Sequence, residues 1–353
     1  MEIGVPKEIK PLEGRVALTP DAVQALIKDG HRVNVERNAG LLSGYQNEQY
    51  QAAGATLCSS AREIFSKSKL IVKVKEPIAA DLKLLRADHL LFCFLHLAAI
   101  PKLTQALLDI GLTAVAFETI EDQHGRLPLL APMSQIAGKV AVHWGAHLLH
   151  HSMGGSGILL GGISGTEPGE VTILGAGEAG RSAAAVAAAL GASVVVFDIN
   201  PSARHSVAAL SSNITAKAPE QDALPQRLQH TDLLIGAVLV KGAEAPKLVT
   251  ARNVVSMKKG SVIVDIAVDQ GGCIETIRPT DYRNPTYTVS DVIHMGVTNM
   301  PGAVPRTASQ ALSHAILPYV KQLAKGELLS DPKLKQGINV AKGKIVYPAL
   351  LPV

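Results

Sequence analysis

The chain has 353 residues, 47% of them hydrophobic and 18% charged, with a net charge of +4. That length and composition fit about two globular domains of ~150 residues and exclude disordered and fibrous classes. Aromatics make up only 3% and no basic block occurs, so neither a nucleic-acid surface nor a base-stacking platform is expected.

The first 130 residues alternate short apolar runs with amphipathic segments. Residues 1–5 and 32–36 read as strands, with a helix over 20–28 started by Thr19-Pro20-Asp21. Further apolar runs lie at 70–74, 90–94 and 113–117, the last two separated by a helical stretch at 100–109. Strands alternating with helices imply parallel pairing in an α/β layer. A long helix is expected over 133–153, crossing from one domain to the next. Its His143, His147 and His151 recur at four-residue spacing. Without a companion glutamate they read as a structural or interfacial face rather than a metal site.

The strongest motif is VTILGAGEAGRSAAAVAAALGASVVVFD. A strand at 171–174 leads into Gly175-Ala-Gly177-Glu-Ala-Gly180, then a small-residue helix at 181–190, then a strand at 193–197 ending on Asp198. Gly175 permits the tight turn, Gly177 lets the backbone approach a pyrophosphate, and Gly180 allows close helix–strand packing. The helix N-terminus offers unpaired N–H groups to the phosphates. Asp198 stands where a carboxylate accepts the adenosine ribose hydroxyls, which favours NAD over NADP, although Arg204 lies near enough in sequence to leave the second open. Two more strands are read at 231–240 and 260–272, with Asp269 near the end of the latter, and a helix at 307–325 returns the chain to the first domain. The expected fold class is α/β: two doubly wound parallel-sheet domains, a Rossmann NAD domain at 131–300 and a Rossmann-like substrate domain at 1–130 plus 301–353, with a cleft between them.

Cys58, Cys93 and Cys273 are far apart and form no CxxC pair, which points to a reducing compartment. The opening MEIGVPKEIK lacks a signal-peptide core. The longest uncharged stretch, 140–166, carries four histidines and seven glycines and would span a bilayer poorly. A cytoplasmic location and no membrane partner are expected.

Taken together, GVPKEIKPLEGRVALTP at 4–20, KVKEP at 73–77, FLHLA at 94–98, LPLLAPMSQIAGKVAVHWGA from Leu127, VTILGAGEAG, GAVLVKGAEAPKLV from Gly236, VDIAVDQGGCIE from Val264 and NMPGAVPRT from Asn299 resemble the alanine dehydrogenase family. The resemblance implies NAD-dependent reversible deamination of L-alanine to pyruvate and ammonium, in a homo-oligomer that is a hexamer in the family. It implies substrate binding by Arg15 and Lys75 and acid–base catalysis by His96 and Asp269. Imidazole as a class exchanges protons near neutral pH, and His96 follows an apolar run, so the residue type and place suit acid–base work. The cofactor contacts carried over are Ser134, Gly175, Gly177, Glu178, Ala179, Gly180, Asp198, Val238, Leu239, Ile266, Ala267, Val268, Asp269, Arg278, Val297, Thr298, Asn299 and Met300. No metal is required. The same superfamily holds the NAD-binding component of transhydrogenase, which remains the alternative, with a non-catalytic NAD sensor as a third class. The chain departs from the family at Met295, usually aromatic, at Ala203, usually lysine, at 215–222, which lacks a serine, and at Val353, where further helical turns are usual.

Overall fold

The computed structural model describes residues 1–219, 223–240 and 244–351. The end of the 215–222 stretch, residues 241–243 of GAVLVKGAEAPKLV and Val353 lie outside the described residues. Contacts divide the chain into two units: Met1–Met133 with the chain from Val304 onward, and Ser134–Ala303.

The described strands are β1 (Glu2–Val5), β2 (Arg32–Glu36), β3 (Thr56–Cys58), β4 (Leu70–Val72), β5 (Leu90–Cys93), β6 (Thr113–Ala116), β7 (Glu170–Leu174), β8 (Ser193–Phe197), β9 (Ile214–Lys217), β10 (Leu233–Gly236), β11 (Val262–Asp265), β12 (Thr286–Val289), β13 (Val292–Met295), β14 (Ile338–Ala341) and β15 (Lys344–Ile345). The first unit's sheet runs β15-β14-β6-β5-β4-β1-β2-β3 and the second's β12-β13-β11-β10-β7-β8-β9. From β6 to β3 all pairs are parallel, and so are all pairs from β13 to β9. Each sheet therefore has a doubly wound parallel core, as expected, but each also carries an antiparallel edge: β14 with β15 on β6, and β12 on β13. The chain order reverses between β1 and β4 in one sheet and between β7 and β10 in the other. Ligands of open α/β sheets bind at such switch points, beyond the carboxyl ends of the strands.

The strands are apolar on both faces because helices cover both faces. Leu70, Ile71, Val72, Leu91 and Phe92 are fully buried in the first unit, and Leu233, Leu234, Ile235, Val262, Ile263 and Val264 in the second. Each such side chain contributes roughly 1.5–3 kcal/mol of burial.

The long helix and the strand read over 260–272 differ most from the sequence expectation, and the strand read over 231–240 shortens to Leu233–Gly236. The helix expected over 133–153 spans Ala131–Leu148, and His151–Met153 form a separate 3-10 turn. The chain folds back on the helix end: the Gly157 N–H donates to Leu149 O at 2.8 Å, and a Cβ on Gly155 would lie 2.2 Å from Leu148 O. His143 and His147 share the helix, but His151 lies beyond it. The strand read over 260–272 stops at Asp265, because the Asp265 carboxylate accepts the Ala267 N–H at 2.8 Å and curls Ile266–Gln270 into a 3-10 turn.

The first unit is completed by helix Pro305–Ala324. Its buried Ser309 accepts the Val16 N–H at 2.9 Å, and Ser313 accepts the Thr19 N–H at 3.0 Å. Thr19 precedes helix Pro20–Lys28 but does not cap it; its hydroxyl lies 3.2 Å from Ser313 Oγ instead. Below the end of β4, Lys73 is 1% exposed, with Nζ 3.3 Å from Glu8 and 3.5 Å from Asp81. Burial opposes the Lys73 charge, but the two carboxylates outweigh it and raise the ammonium pKa. At Glu8 burial prevails over the pull of Lys73 and raises the carboxyl. Removing one member of a buried ion cluster strands its partners, so Lys73→Met is expected to cost about 3–5 kcal/mol in urea unfolding. A loss near zero would show that the cluster does not hold the unit together.

Candidate active site

In the first unit the polar residues sit where parallel strands end. The segment after β1 carries Arg15, 2% exposed. Glu13 accepts from its Nε at 2.7 Å and its Nη2 at 2.5 Å, and also from the Arg15 backbone N–H at 3.0 Å. Nη1 reaches Met133 Sδ at 3.3 Å. The guanidinium plane is thus fixed by a buried bidentate pair. Its Nε–Nη2 edge is taken by Glu13.

After β4, Glu8 Oε1 accepts the Val74 N–H at 2.6 Å and the Lys75 N–H at 3.4 Å. Lys75 is 8% exposed, with Nζ 3.8 Å from Glu76 Oε2. Burial works to raise the Glu76 carboxyl, but Lys75 and Lys10 prevail and hold it below its ordinary value. After β5 comes half-buried His96, with φ 50° and ψ 38°. Its backbone N–H donates to Glu118 Oε1 at 2.7 Å, and its ring lies parallel to that of Phe94, 5.8 Å away. Arg15, Lys75 and His96 therefore share the carboxyl-end edge of one sheet. Asp269 belongs to the other unit.

In the second unit the glycine turn leaves β7. Gly175 has φ 98°, a left-handed conformation open to glycine, and a Cβ there would lie 2.6 Å from Ala237 O. At Gly180 a Cβ would lie 1.8 Å from Gly175 O, so only glycine lets the helix approach the turn. Gly177 caps helix Glu178–Ala189, three residues before the expected start, and has open space where a side chain would stand. Ala183, Ala184, Ala187 and Ala188 are the helix's buried face. Asp198 ends β8 and accepts the Ala176 N–H at 2.6 Å and the Asn200 N–H at 2.7 Å. Arg204 Nη1 donates to the Asp198 and Ile199 carbonyls at 2.8 and 3.0 Å, so it closes the end of this segment.

The remaining expected cofactor residues follow neighbouring strand ends. Val238 and Leu239 follow β10, Ile266–Gln270 follows β11, and Val297, Thr298, Asn299 and Met300 follow β13. Ala267 and Val268 are buried, Asp269 is exposed, and Asn299 is left-handed at φ 65°. Tyr282 Oη donates to Met300 O at 2.8 Å. Arg278 lays its guanidinium over the Tyr287 ring at 4.2 Å. Ser134 is half-buried on helix Ala131–Leu148, one residue before Gln135, whose amide donates to Glu178 at 2.8 Å. Met295, at the aromatic position, is fully buried within β13.

Sequence reasoning missed four acids: Glu8, Glu13, Glu118 and Asp265. Asp265 is fully buried and accepts the Ala267 and Cys273 N–H groups, both at 2.8 Å. Burial pushes its carboxyl up to about 6. The signal available was an aspartate closing the apolar run VIVD, four residues before the candidate Asp269. Among the described residues no group of three or more His, Cys, Asp or Glu side chains is placed to hold a metal ion.

Two α/β units, one bearing a glycine turn and a following aspartate and the other carrying arginine, lysine and histidine in segments after its strands, place the chain among two-unit α/β proteins built on doubly wound sheets. The chain belongs to the alanine dehydrogenase/PNT family. The model of its N-terminal domain matches residues 4–137 and that of its C-terminal domain residues 141–348. An alanine dehydrogenase of Methanococcus maripaludis is 45% identical over 99% of this chain and 95% of its own. A solved L-alanine dehydrogenase is 48% identical, with a TM-score of 0.95 over 99% of this chain and 98% of that one. A transhydrogenase from Sinorhizobium meliloti matches at 27% identity and a TM-score of 0.85, over 99% of this chain and all of its own.

Gly180→Ala is expected to weaken NADH binding at least about tenfold, because the methyl group forces the helix off the turn; fluorescence titration checks this, and unchanged affinity would refute the packing argument. For Asp265 the folded pKa stands above the unfolded value of 3.8. Its stabilising contribution is therefore full below that value and lost as pH rises through about 6. Relative to Asp265→Asn, the wild type should lose on the order of 3 kcal/mol between about pH 3.5 and 7. Urea unfolding at the two pH values measures it, and a difference independent of pH would exclude a buried titrating carboxyl.

Proposed function

We propose that the protein is an NAD-dependent L-alanine dehydrogenase: L-alanine, NAD+ and water give pyruvate, ammonium, NADH and a proton, reversibly. The observation that carries this reading is the full-length similarity to alanine dehydrogenases, joined to the arginine, lysine and histidine in the segments after β1, β4 and β5 of one sheet. The left-handed Gly175, the uncovered Gly177 and the helix N-terminus suit a dinucleotide pyrophosphate. Gly175, Gly177, Glu178, Ala179, Gly180, Asp198, Val238, Leu239, Arg278, residues 266–269 and 297–300, and Ser134 would hold it. A carboxylate at the end of β8, with Arg204 engaged on backbone carbonyls, supports NAD over NADP. When bound, the nicotinamide supplies a hydride acceptor for the substrate α-hydrogen.

The chain's residues perform the rest. Arg15, its guanidinium plane fixed by Glu13, holds the substrate carboxylate, and Lys75 binds the carboxylate and the developing carbonyl as a point charge. His96 takes a proton from the water that adds to the imine carbon and returns one to the departing nitrogen, so that the carbinolamine collapses to pyruvate and ammonium. Asp269 orients that water. In the reverse direction the same groups run reductive amination. A cytoplasmic homo-oligomer, hexameric as in the family, completes the reading. Among the described residues, no helix is long and apolar enough to cross a membrane.

The test is NADH formation by purified protein with L-alanine, beside D-alanine, L-serine and glycine. L-alanine is expected to turn over fastest, and one altered group in the substrate to cost about 10–200-fold in kcat/KM. His96→Ala should lower kcat by at least about a hundredfold with NADH affinity unchanged. NADH binding without turnover of any amino acid would favour a transhydrogenase component instead.

A further inference from the structure

We infer that Glu118 is the positioning residue that holds His96 in its working orientation, an inference that rests on the acid–base role given to His96 above. The backbone makes the need plain. β5 leaves its ladder at Phe94, whose N–H donates to Val74 O at 3.1 Å. The next two N–H groups have no strand to pair with, and both turn to one carboxylate. The Leu95 N–H lies 3.1 and 3.3 Å from the Glu118 oxygens, and the His96 N–H lies 2.7 Å from Oε1. Successive N–H groups around a left-handed residue form a concave anion site, and here the chain fills that site with its own side chain.

His96 is not glycine, so its φ of 50° costs energy and persists only where the surroundings over-determine it. Two charge-assisted hydrogen bonds from one acid supply that constraint. The acid is itself held firmly. It stands in the 3-10 turn Phe117–Thr119, directly after β6, the neighbour of β5. Phe117 is fully buried, edge-on against Phe92 at 4.5 Å and Phe94 at 5.0 Å. The Thr119 hydroxyl donates to Ala116 O at 3.3 Å. Phe94 also carries the parallel His96 ring, so the same aromatic group backs the acid's turn and the imidazole. The Glu118 carboxylate accepts from the main chain, at Leu95 and His96. Its part is to fix the backbone from which the imidazole projects, and a His96 released to a right-handed conformation would swing its ring off Phe94.

The test compares Glu118→Ala, Glu118→Asp and Glu118→Gln in the full-length protein. A glutamine oxygen still accepts both N–H groups, whereas an aspartate is one methylene too short. Alanine and aspartate are expected to lower kcat at least about thirtyfold, with KM for L-alanine and NAD+ within about threefold, and glutamine to keep kcat within about fivefold. His96→Ala and the double variant His96→Ala/Glu118→Ala should have the same residual rate, as expected of groups acting as one unit. Should Glu118→Ala not fold, the aspartate and glutamine variants decide. Folded Glu118→Ala or Glu118→Asp turning over within about threefold of wild type would overturn the inference, and so would glutamine failing as badly as aspartate. If His96→Ala itself keeps its turnover, the acid–base reading falls first; if only the Glu118 variants keep theirs, that reading stands and the positioning role falls.

Discussion

A carboxylate accepting backbone N–H groups beyond the end of a parallel strand is the interaction on which the strand-end loops of both units depend. Glu8 does this for Val74 and Lys75, Glu118 for Leu95 and His96, Asp198 for Ala176 and Asn200, and Asp265 for Ala267 and Cys273. The problem is the same each time. Where a ladder stops, its N–H groups lose their partners, and a buried unpaired donor costs about 1–3 kcal/mol. An acid resolves it and fixes the loop in one shape, so the residues expected to do chemistry leave rigid ground.

The charges at the first unit's strand edge are balanced from within. Lys10, Arg15, Lys73 and Lys75 face Glu8, Glu13, Glu76 and Asp81 in ion pairs, several of them almost wholly buried. This edge is therefore no open cationic trap. A carboxylate bound there, as proposed, would meet a fork already engaged by Glu13, so selection would rest on geometry rather than net charge.

Much of this was legible in the sequence. Long apolar runs marked β1, β2, β4 to β8, β10 and β11, and the glycine spacing marked the turn after β7. Short edge strands were not legible. β3 (TLC) and β9 (ITAK) lie at sheet edges and carry polar residues in place of an apolar run. The β12–β13 and β14–β15 hairpins turn on Ser290-Asp291 and Lys342-Gly343, whose left-handed φ values are not announced by an Asn-Gly or Asp-Gly pair. Arg15, Lys75 and His96 could be picked out because each stands beside a recognisable motif. Glu8 and Glu118 could not, since they bond main-chain groups 66 and 22 residues away, and main-chain recognition imposes no residue pattern on the partner. The helix ending at Leu148 was overdrawn because the apolar period continues past the point where the chain folds back.

The seating of the Arg15 segment on Ser309 and Ser313 sets an order of events during synthesis. Those hydroxyls lie 293 and 294 residues downstream of the amides they accept, and at roughly 5–20 residues per second a ribosome takes about 15–60 s to cover that distance. Every described strand of the second unit has been made before those serines exist. The half of the molecule that is begun first is finished last, and its arginine-bearing loop waits for those two serines for nearly the whole length of translation.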